Sequence, residues 1–486
     1  MGMLHAIDVV IIAIYFLCLI AIGYYVMISK KTTGETESFL AADRNMGIIR
    51  TTGSCAATDI GGGFSIAMGG LGFSLGFSGS WLMAVSAISA VLAAFLMVPK
   101  VKRWADRVKG LTTGDLFAAR FDSRTGLMAA ILVGLSWFTF VGGQVIAGAK
   151  LVSGVLGLPV TLTIVVAGAV ILTYTAMGGL KAVMSTDVLQ VITLLVGIIL
   201  IAVPIGFFRV GGINGLVEKL SASPESAMLL DWGAVSWKEA VGWFLSIFPV
   251  WFISIATVQR VIAAKDERTA KLGVFLTGFP IEWPLFAIGT TTLIGMFARA
   301  LLPDLADPEF ATPALITAIL PVGLTGLVVA AYIAAVLSTA DSCLVGSVAI
   351  FVNDIYWKLV NPSASDRELI KASRIATIVL GILAIGLAYM VPRIIELVLY
   401  AYTFGAAGLF FPMLALLFWK RATAAGAFWS ILLGGGSAVL WTIAGQPYGL
   451  SGSYAGWIVS FVTLVVVSLK TDHVPEEQLE LFFSRE

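Results

Sequence analysis

Apolar stretches long enough to cross a lipid bilayer recur along the whole chain. A spanning helix needs about 20 predominantly apolar residues. Thirteen stretches meet this rule, at residues 6–29, 48–71, 76–99, 126–152, 159–178, 184–207, 238–260, 272–299, 322–350, 372–391, 394–418, 423–444 and 453–469. Only 12% of the 486 residues are charged, about half the fraction found in soluble domains. The sequence therefore predicts an all-α integral membrane protein with 13 transmembrane helices.

The charge balance and the rare reactive residues exclude several functional classes. The formal net charge is +1, so no nucleic acid or acidic partner is expected. The three cysteines, Cys18, Cys55 and Cys343, lie in apolar stretches and do not suggest a disulfide framework. The two histidines, His5 and His473, lie near the chain ends, which removes the usual imidazole base and any histidine metal site. An enzyme is therefore not expected.

The distribution of Lys and Arg predicts the orientation in the membrane. Cytoplasmic loops carry an excess of these residues. When the N-terminus is placed outside, most of the 30 Lys and Arg residues fall in loops on one side. We therefore expect a multi-pass protein of the plasma (inner) membrane, with the N-terminus outside and the C-terminus in the cytoplasm.

One apolar stretch contains a carboxylate followed closely by three glycines. Asp59 precedes Gly61, Gly62 and Gly63 within residues 48–71. A helix that breaks at membrane depth exposes peptide groups to lipid, and it is tolerated only inside protein or beside a wet cavity. Small residues also form helix-packing faces, which is the simpler explanation of the glycines alone. Asp59 favours a broken helix of the kind that builds ion and solute sites in secondary transporters.

A second polar cluster lies in the stretch 322–350. At about 100° per residue, Ala335, Ser338, Asp341 and Ser342 share one helix face, with Thr339 on its shoulder. Such oxygen groups suit a small hard cation. Hydroxyls can also bond back to the preceding turn, which would explain one or two of them. It would not explain Asp341, because a carboxylate at a membrane helix centre is costly.

Two further carboxylates, at positions 187 and 282, allow more than one interpretation. Asp187 lies near the predicted cytoplasmic mouth of the sixth stretch, where it could stabilise a helix N-terminus; Ser185 or Thr186 could equally be the cap. Glu282 lies between two prolines, where it could cap a kink, pair within the bundle or serve function. The sequence leaves these alternatives open.

Four motifs together resemble a known family. Residues 57–63 read Ala-Thr-Asp-Ile-Gly-Gly-Gly, and residues 258–260 read Val-Gln-Arg. Residues 174–190 read Tyr-Thr-Ala-Met-Gly-Gly-Leu-Lys-Ala-Val-Met-Ser-Thr-Asp-Val-Leu-Gln. Residues 338–342 read Ser-Thr-Ala-Asp-Ser, followed at 353–356 by Asn-Asp-Ile-Tyr. The order and content of these motifs over about residues 1–470 resemble the sodium:solute symporter family, between its proline-type and choline-type members.

The resemblance implies a leucine-transporter-type fold with an inverted five-helix repeat core. Its first and sixth core helices would be broken. The implied division is a leading helix and cytoplasmic loop at 1–47, a first repeat at 48–207, an extracellular loop at 208–237, a second repeat at 238–418, and two trailing helices with a short tail at 419–486.

The resemblance also implies the ligand sets. A sodium ion would bind the carbonyl oxygens of Ala57, Ile60 and Ala335 and the hydroxyls of Ser338 and Thr339. A second ion, which only some members bind, would use Asp187, Asp341 and Ser342 together with Ser338. The solute would contact residues around the two helix breaks, namely Asp59, Gly62, Gly63, Phe138, Gln144, Trp251, Ser254 and Tyr402.

The expected function is sodium-coupled import of a small organic solute by alternating access. Asp59 favours an amine-bearing compound such as an amino acid, although this carboxylate could instead serve the ion alone. Proton coupling through Asp59, Asp187 and Asp341, or transport of a monocarboxylate, sugar or other neutral solute, is the alternative. A channel or an intramembrane enzyme is a more remote alternative. The expected partners are the solute, sodium ions and the lipid bilayer.

Overall fold

A computed structural model describes residues 4–28, 35–175, 179–287 and 289–483. Within these ranges the chain forms helices and no β-strand. The first thirteen helices are α1 (Ala6–Ile28), α2 (Glu35–Ala41), α3 (Ile48–Asp59), α4 (Met68–Leu75), α5 (Trp81–Leu96), α6 (Val98–Val108), α7 (Thr113–Arg120), α8 (Ser123–Leu156), α9 (Val160–Thr175), α10 (Gly179–Leu194), α11 (Val203–Val210), α12 (Gly212–Leu220) and α13 (Pro224–Ala227).

The later helices follow the same pattern of long spans joined by short connecting helices. They are α14 (Trp237–Ile247), α15 (Val250–Ile253), α16 (Ile255–Ala263), α17 (Glu267–Leu276), α18 (Thr290–Leu301), α19 (Ala311–Ile319), α20 (Leu324–Ala349), α21 (Asp366–Met390), α22 (Ile394–Phe418), α23 (Ala424–Ile443), α24 (Gly452–Lys470) and α25 (Glu476–Phe483). Wider π-helical turns occupy Gly63–Ala67, Leu195–Ala202, Thr277–Ala287 and Ile350–Val360. Tight 3-10 turns occupy Ala42–Arg44, Gly76–Ser80, Met228–Leu230, Pro308–Phe310 and Pro447–Gly449.

Ten helical segments of the described chain are long and apolar enough to cross a membrane. They are Ala6–Val26, Gly63–Leu96, Ser123–Leu156, Gly179–Val210, Trp237–Ala263, Leu324–Val360, Asp366–Met390, Ile394–Phe418, Ala424–Ile443 and Gly452–Lys470. The protein is therefore a multi-pass membrane protein, as the apolar stretches predict.

The remaining predicted spans, 48–71, 159–178 and 272–299, are not long continuous helices. The first is interrupted after Asp59, and the third runs through the π-helical segment Thr277–Ala287 before α18 begins at Thr290. The span 159–178 gives the 16-residue helix α9, and residues 176–178 lie outside the described residues. Glycine, proline and carboxylate residues interrupt the hydrogen-bond ladder of a helix, which a count of apolar residues does not register.

Helix α20 lies at the centre of the molecule. Almost all of its apolar window is buried, whereas α1 is mostly exposed. It packs against α8, α10, α1 and α3. This arrangement brings the polar face of α20 to the interrupted end of α3.

Candidate functional site

The interruption of α3 exposes backbone carbonyl groups in the protein interior. The helix ends at Asp59, and Ile60 leaves the helical region with φ −82° and ψ 53°. Ile60 N–H still donates to Ala56 O, and Gly61 N–H turns back to Asp59 O. The Ala57 and Thr58 carbonyls are therefore among the orphaned acceptors that every helix C-terminus leaves.

The glycines at the break allow two neighbouring helices to approach its backbone. A Cβ atom on Gly61 would lie 2.4 Å from Thr339 Oγ1, and one on Gly62 would lie 2.4 Å from the Ala147 side chain. Gly62 N–H instead donates to Gln144 Oε1 at 2.8 Å. The glycine run therefore serves close packing at a break, which combines the two interpretations of the sequence.

Hydroxyls from α20 satisfy the orphaned carbonyls. Ser338 Oγ donates to Ala57 O at 2.7 Å and lies 3.1 Å from Ala335 O. Thr339 Oγ1 donates to Thr58 O at 2.7 Å and lies 3.4 Å from Ala57 O. The structure thus brings Ala57, Ala335, Ser338 and Thr339 together, and Ile60 adjoins them as the non-helical residue of the break. Neutral oxygens at the negative end of a helix dipole suit a small cation.

Arg260 lies at the centre of the second polar cluster, on α16. Its side chain is 1% exposed. Its Nε donates to Ser54 Oγ at 2.9 Å, and its Nη2 lies 3.4 Å from Asp187 Oδ2. The same Nη2 donates to Thr58 Oγ1 at 2.8 Å and to Ser342 Oγ. One guanidinium therefore joins α3, α10, α16 and α20.

The residues expected at a second ion site do come together, but around this guanidinium. Asp187 and Ser342 both bond Arg260, and Asp341 interacts electrostatically with Asp187. A cation binding among them must displace or accompany Arg260. Asp187 lies in the third turn of α10, so the interpretation of Asp187 as a helix N-terminal residue is wrong. The reason is that α10 begins at Gly179, five residues before the expected start at residue 184.

A small cavity lies beside Asp59, where α14, α15 and α16 are separated by breaks. Its volume is about 20 Å³, enough for about one water molecule. Its lining includes Cys55, Thr58, Asp59, Trp137, Val250, Trp251, Ser254, Ala256, Thr257, Arg260 and Tyr402. Ser254 is extended and caps α16 by accepting from Thr257 N–H at 3.2 Å. An organic solute needs a wider opening here than this conformation provides.

Polar side chains on neighbouring helices fix Asp59 at this cavity. Ser86 Oγ, on α5, donates to Asp59 Oδ2 at 3.0 Å. Trp251 Nε1 donates to Ser86 Oγ, also at 3.0 Å. The indole that lines the cavity is therefore linked to the carboxylate through one hydroxyl.

The other expected solute residues divide between the cavity and its surroundings. Phe138 does not line it, because one residue is about 100° of helix rotation and the neighbouring Trp137 takes that face. Gln144, Gly62 and Gly63 lie at the break rather than on the cavity wall. The prediction that Phe138 contacts the solute therefore stays a prediction, because in this conformation Trp137 lines the cavity instead.

The sequence interpretation missed Trp137, Ser86 and the role of Arg260. Arg260 ends an apolar stretch, so by position alone it is indistinguishable from the other cytoplasmic charges, and the sequence gives no sign of its burial. Ser86 gave no signal, because serine is common in membrane helices.

Comparisons with known proteins identify the family. The profile of the sodium:solute symporter family matches residues 39–434. The osmoregulated proline transporter OpuE of Bacillus subtilis (strain 168) is 25% identical, with 98% of each chain covered. The high-affinity proline transporter PutP of the same organism is 27% identical over 93% of this chain and 96% of its own. Sodium/glucose cotransporter 1 of Oryctolagus cuniculus is 26% identical over 98% and 80%.

The fold of the protein is also similar to that of a solved structure. A Na⁺-coupled sialic acid symporter in an outward-open state superposes with a TM-score of 0.79 at 21% identity, covering 97% of this chain and 99% of that one. All of these relatives are transporters, which agrees with the absence of enzymatic motifs in the sequence. The predicted membership is confirmed, and the chain belongs to the sodium:solute symporter family.

Proposed function

We propose that the protein imports a small amine-bearing solute, with an amino acid as the best candidate, together with sodium. The observation that carries this proposal is the pairing of the α20 hydroxyls with the orphaned carbonyls of Ala57 and Thr58, which directly precede Asp59. The ion site and the solute cavity then share one short segment of chain. Movement of that segment links the two binding events.

The sodium ion would bind the carbonyl oxygens of Ala57, Ile60 and Ala335 and the hydroxyl oxygens of Ser338 and Thr339. In the described conformation the two hydroxyls donate protons to carbonyl oxygens. On ion binding each hydroxyl would rotate and present a lone pair, because a hydroxyl both donates and accepts. The ion would replace these hydrogen bonds and hold α3 against α20.

The solute would bind beside Asp59, Trp251, Ser254 and Tyr402. A buried carboxylate favours a cationic partner, which an ammonium group supplies. The N-terminus of α16 opens onto the same cavity at Ser254, and helix N-termini favour carboxylates. An amino acid presents both charges. The proline transporters among the relatives support this choice.

The glucose cotransporter among the relatives keeps a second candidate in view, namely sodium-coupled sugar uptake. A sugar would use the hydroxyl and aromatic groups of the cavity and leave the charge of Asp59 to an ion. In two further alternatives Asp59 would likewise not bind the solute. These are coupling to protons and transport of a monocarboxylate.

We extend the proposal to the architecture and the membrane. Thirteen spans would form two inverted repeats, at 48–207 and 238–418, after a leading segment at 1–47. The loop 208–237 would be extracellular, and 419–486 would hold two trailing helices and a cytoplasmic tail. The protein would lie in the plasma (inner) membrane with its N-terminus outside. A second ion at Asp187, Asp341 and Ser342 would have to displace or accompany Arg260.

Uptake into proteoliposomes tests the proposal. Radiolabelled proline and glucose are supplied separately, with a sodium gradient, a potassium gradient or a pH gradient. We expect proline uptake that needs sodium, and we expect Asp59→Asn to raise the KM for proline by at least about tenfold, the loss of about 1.4 kcal/mol of binding. Uptake driven by the pH gradient in potassium, or of glucose alone, would contradict the amine proposal.

A further inference from the structure

Glu282 is a buried carboxylate that the sodium and solute sites proposed above do not use. Its side chain is 0% exposed, and among the described residues the only group that reaches its oxygens is the carboxyl group of Asp59. An ionised group without donors or a cation is costly in a low-dielectric interior. Its position therefore requires either a proton shared with the neighbouring carboxyl group or a bound cation.

The local fold places Glu282 against Asp59. Glu282 lies in the π-helical segment Thr277–Ala287, which packs on α5 and α3. Gly278 permits this contact, since a Cβ atom there would lie 2.8 Å from Ala87 O on α5. About one turn later, the Glu282 carboxyl group contacts that of Asp59. π-helical turns in membrane and soluble helices often mark functional positions.

Asp59 and Glu282 have no cationic side chain as a partner, unlike several other carboxylates of the protein. Asp187 forms an ion pair with Arg260 at 3.4 Å, and Asp307 and Glu309 both form ion pairs with Lys150 on α8. Among the described residues, no Lys or Arg lies within ion-pair distance of Asp59 or Glu282. Cys55 and Tyr402, which interact electrostatically with Glu282, cannot supply a positive charge.

We propose that Asp59 and Glu282 bind one monovalent metal cation between them, with sodium as the ion used. Two carboxylates and Ser86 Oγ offer five oxygen atoms. Ser86 donates its proton to Asp59 and accepts one from Trp251, so one lone pair of its oxygen is left for an ion. Hard cations are held by oxygen sets of this kind. A single positive charge reduces the charge of the pair from −2 to −1, and the remaining negative charge is the one that the solute's ammonium group would meet in the proposed function.

This site is separate from the ion site at Ser338 and Thr339. It uses the side chain of Asp59, the π-helical segment and α5, whereas the other uses backbone carbonyls and α20. It differs also from the Asp187 cluster, which already holds a guanidinium. The paired site therefore adds an ion that the α20 hydroxyls do not account for.

Equilibrium binding of radioactive sodium to the purified full-length protein tests the proposal. The wild type is compared with Glu282→Gln, Ser338→Ala and the double variant, at one pH and ionic strength. At a sodium concentration close to the wild-type Kd an about tenfold weaker site is mostly empty, and there we expect Glu282→Gln to lose the ion bound at the pair and the double variant to lose the ions of both sites. Glu396→Gln is the matched control. Glu396 accepts a hydrogen bond from the Tyr400 hydroxyl at 2.6 Å and belongs to neither ion site. We expect this variant to bind as many sodium ions as the wild type.

The outcomes separate this proposal from the proposed function. Loss of one ion in Ser338→Ala but none in Glu282→Gln overturns the paired site and leaves the α20 site intact. Loss in Glu282→Gln alone supports the pair and contradicts the α20 site. If Glu282→Gln does not fold, Glu282→Asp provides the test, since it should retain the full number of ions with weaker affinity. Release of a proton instead of uptake of an ion at the pair, with one sodium in the wild type, also overturns the proposal.

Discussion

Single hydroxyl groups decide how the break in α3 is held. Ser338 and Thr339 each satisfy a carbonyl that no backbone N–H reaches, so each contributes a hydrogen bond of about 0.5–1.5 kcal/mol even without an ion. With an ion bound, the same oxygens become ligands. Their substitution should therefore affect ion binding more than the stability of the fold.

The first prediction concerns these hydroxyls. Ser338→Ala and Thr339→Ala should each weaken apparent sodium affinity about tenfold, or about 1.4 kcal/mol, because each removes one ligand. The KM for the solute at saturating sodium should change less. Ser347→Ala is the control, since its hydroxyl lies on the same helix and reaches only Gly134 O. Equal effects of all three variants on sodium affinity would contradict the site.

Arg260 gives the second prediction at this scale. Removing one member of a buried charge pair leaves the other unpaired and costs about 3–5 kcal/mol. Arg260→Gln should therefore lower the thermal unfolding temperature in detergent markedly. Arg260→Gln combined with Asp187→Asn should recover part of this loss, because no lone carboxylate remains in that pair. If the two substitutions lower the stability by amounts that simply add in the double variant, the 3.4 Å contact between Arg260 and Asp187 contributes little to stability.

At the scale of helices, the interrupted elements combine apolar character with groups that stop a helix. The break of α3 could be predicted from Asp59 and the glycines, and the polar face of α20 from its 100° spacing. The position of Phe138 relative to Trp137 could not, because a hydrophobic helix surrounded by protein has no polar face to fix its rotation. The contact of Glu282 with Asp59 depends on helix packing across more than 200 residues, which periodicity does not report.

The third prediction concerns the close approach of α3 and α20. Gly61→Ala would place a methyl group 2.4 Å from Thr339 Oγ1, so the break and α20 must separate. We expect loss of sodium-dependent uptake with the protein still inserted and folded. Gly436→Ala is the matched control, because its Cβ would meet nothing within 4 Å. Normal uptake by Gly61→Ala, measured in proteoliposomes, would show that the approach is not needed.

At the scale of the whole molecule, access to the cavity depends on the ion pairs and hydrogen bonds that connect helices distant in sequence. Residues 307–319, here called the cap segment, join three of them. Lys150 Nζ, on α8, lies 2.8 Å from Asp307 Oδ2 and 2.5 Å from Glu309 Oε2. Glu309 Oε1 accepts from Ile394 N–H at 2.8 Å at the start of α22. The cap segment also packs on α4, because Gly70 leaves room for Pro308 O.

These ties predict that the Lys150 cluster holds one side of the molecule closed. Cys55 lines the cavity, so its reaction with a membrane-impermeant thiol reagent reports access once Cys18 and Cys343 are replaced. Lys150→Met should leave two carboxylates without their shared cation and loosen the cap segment. Labelling of Cys55 from the cap side should then rise about tenfold, as expected for about 1.4 kcal/mol less closure. Glu309→Gln should also raise the labelling rate, since it weakens the hydrogen bonds from the start of α22.

Lys238→Met is the control, because Lys238 donates to Tyr448 O and does not contact the cap segment. An unchanged labelling rate in Lys150→Met would mean that the helices around the cavity stay closed without this cluster, and that closure depends on the packing of α4 against the cap segment instead.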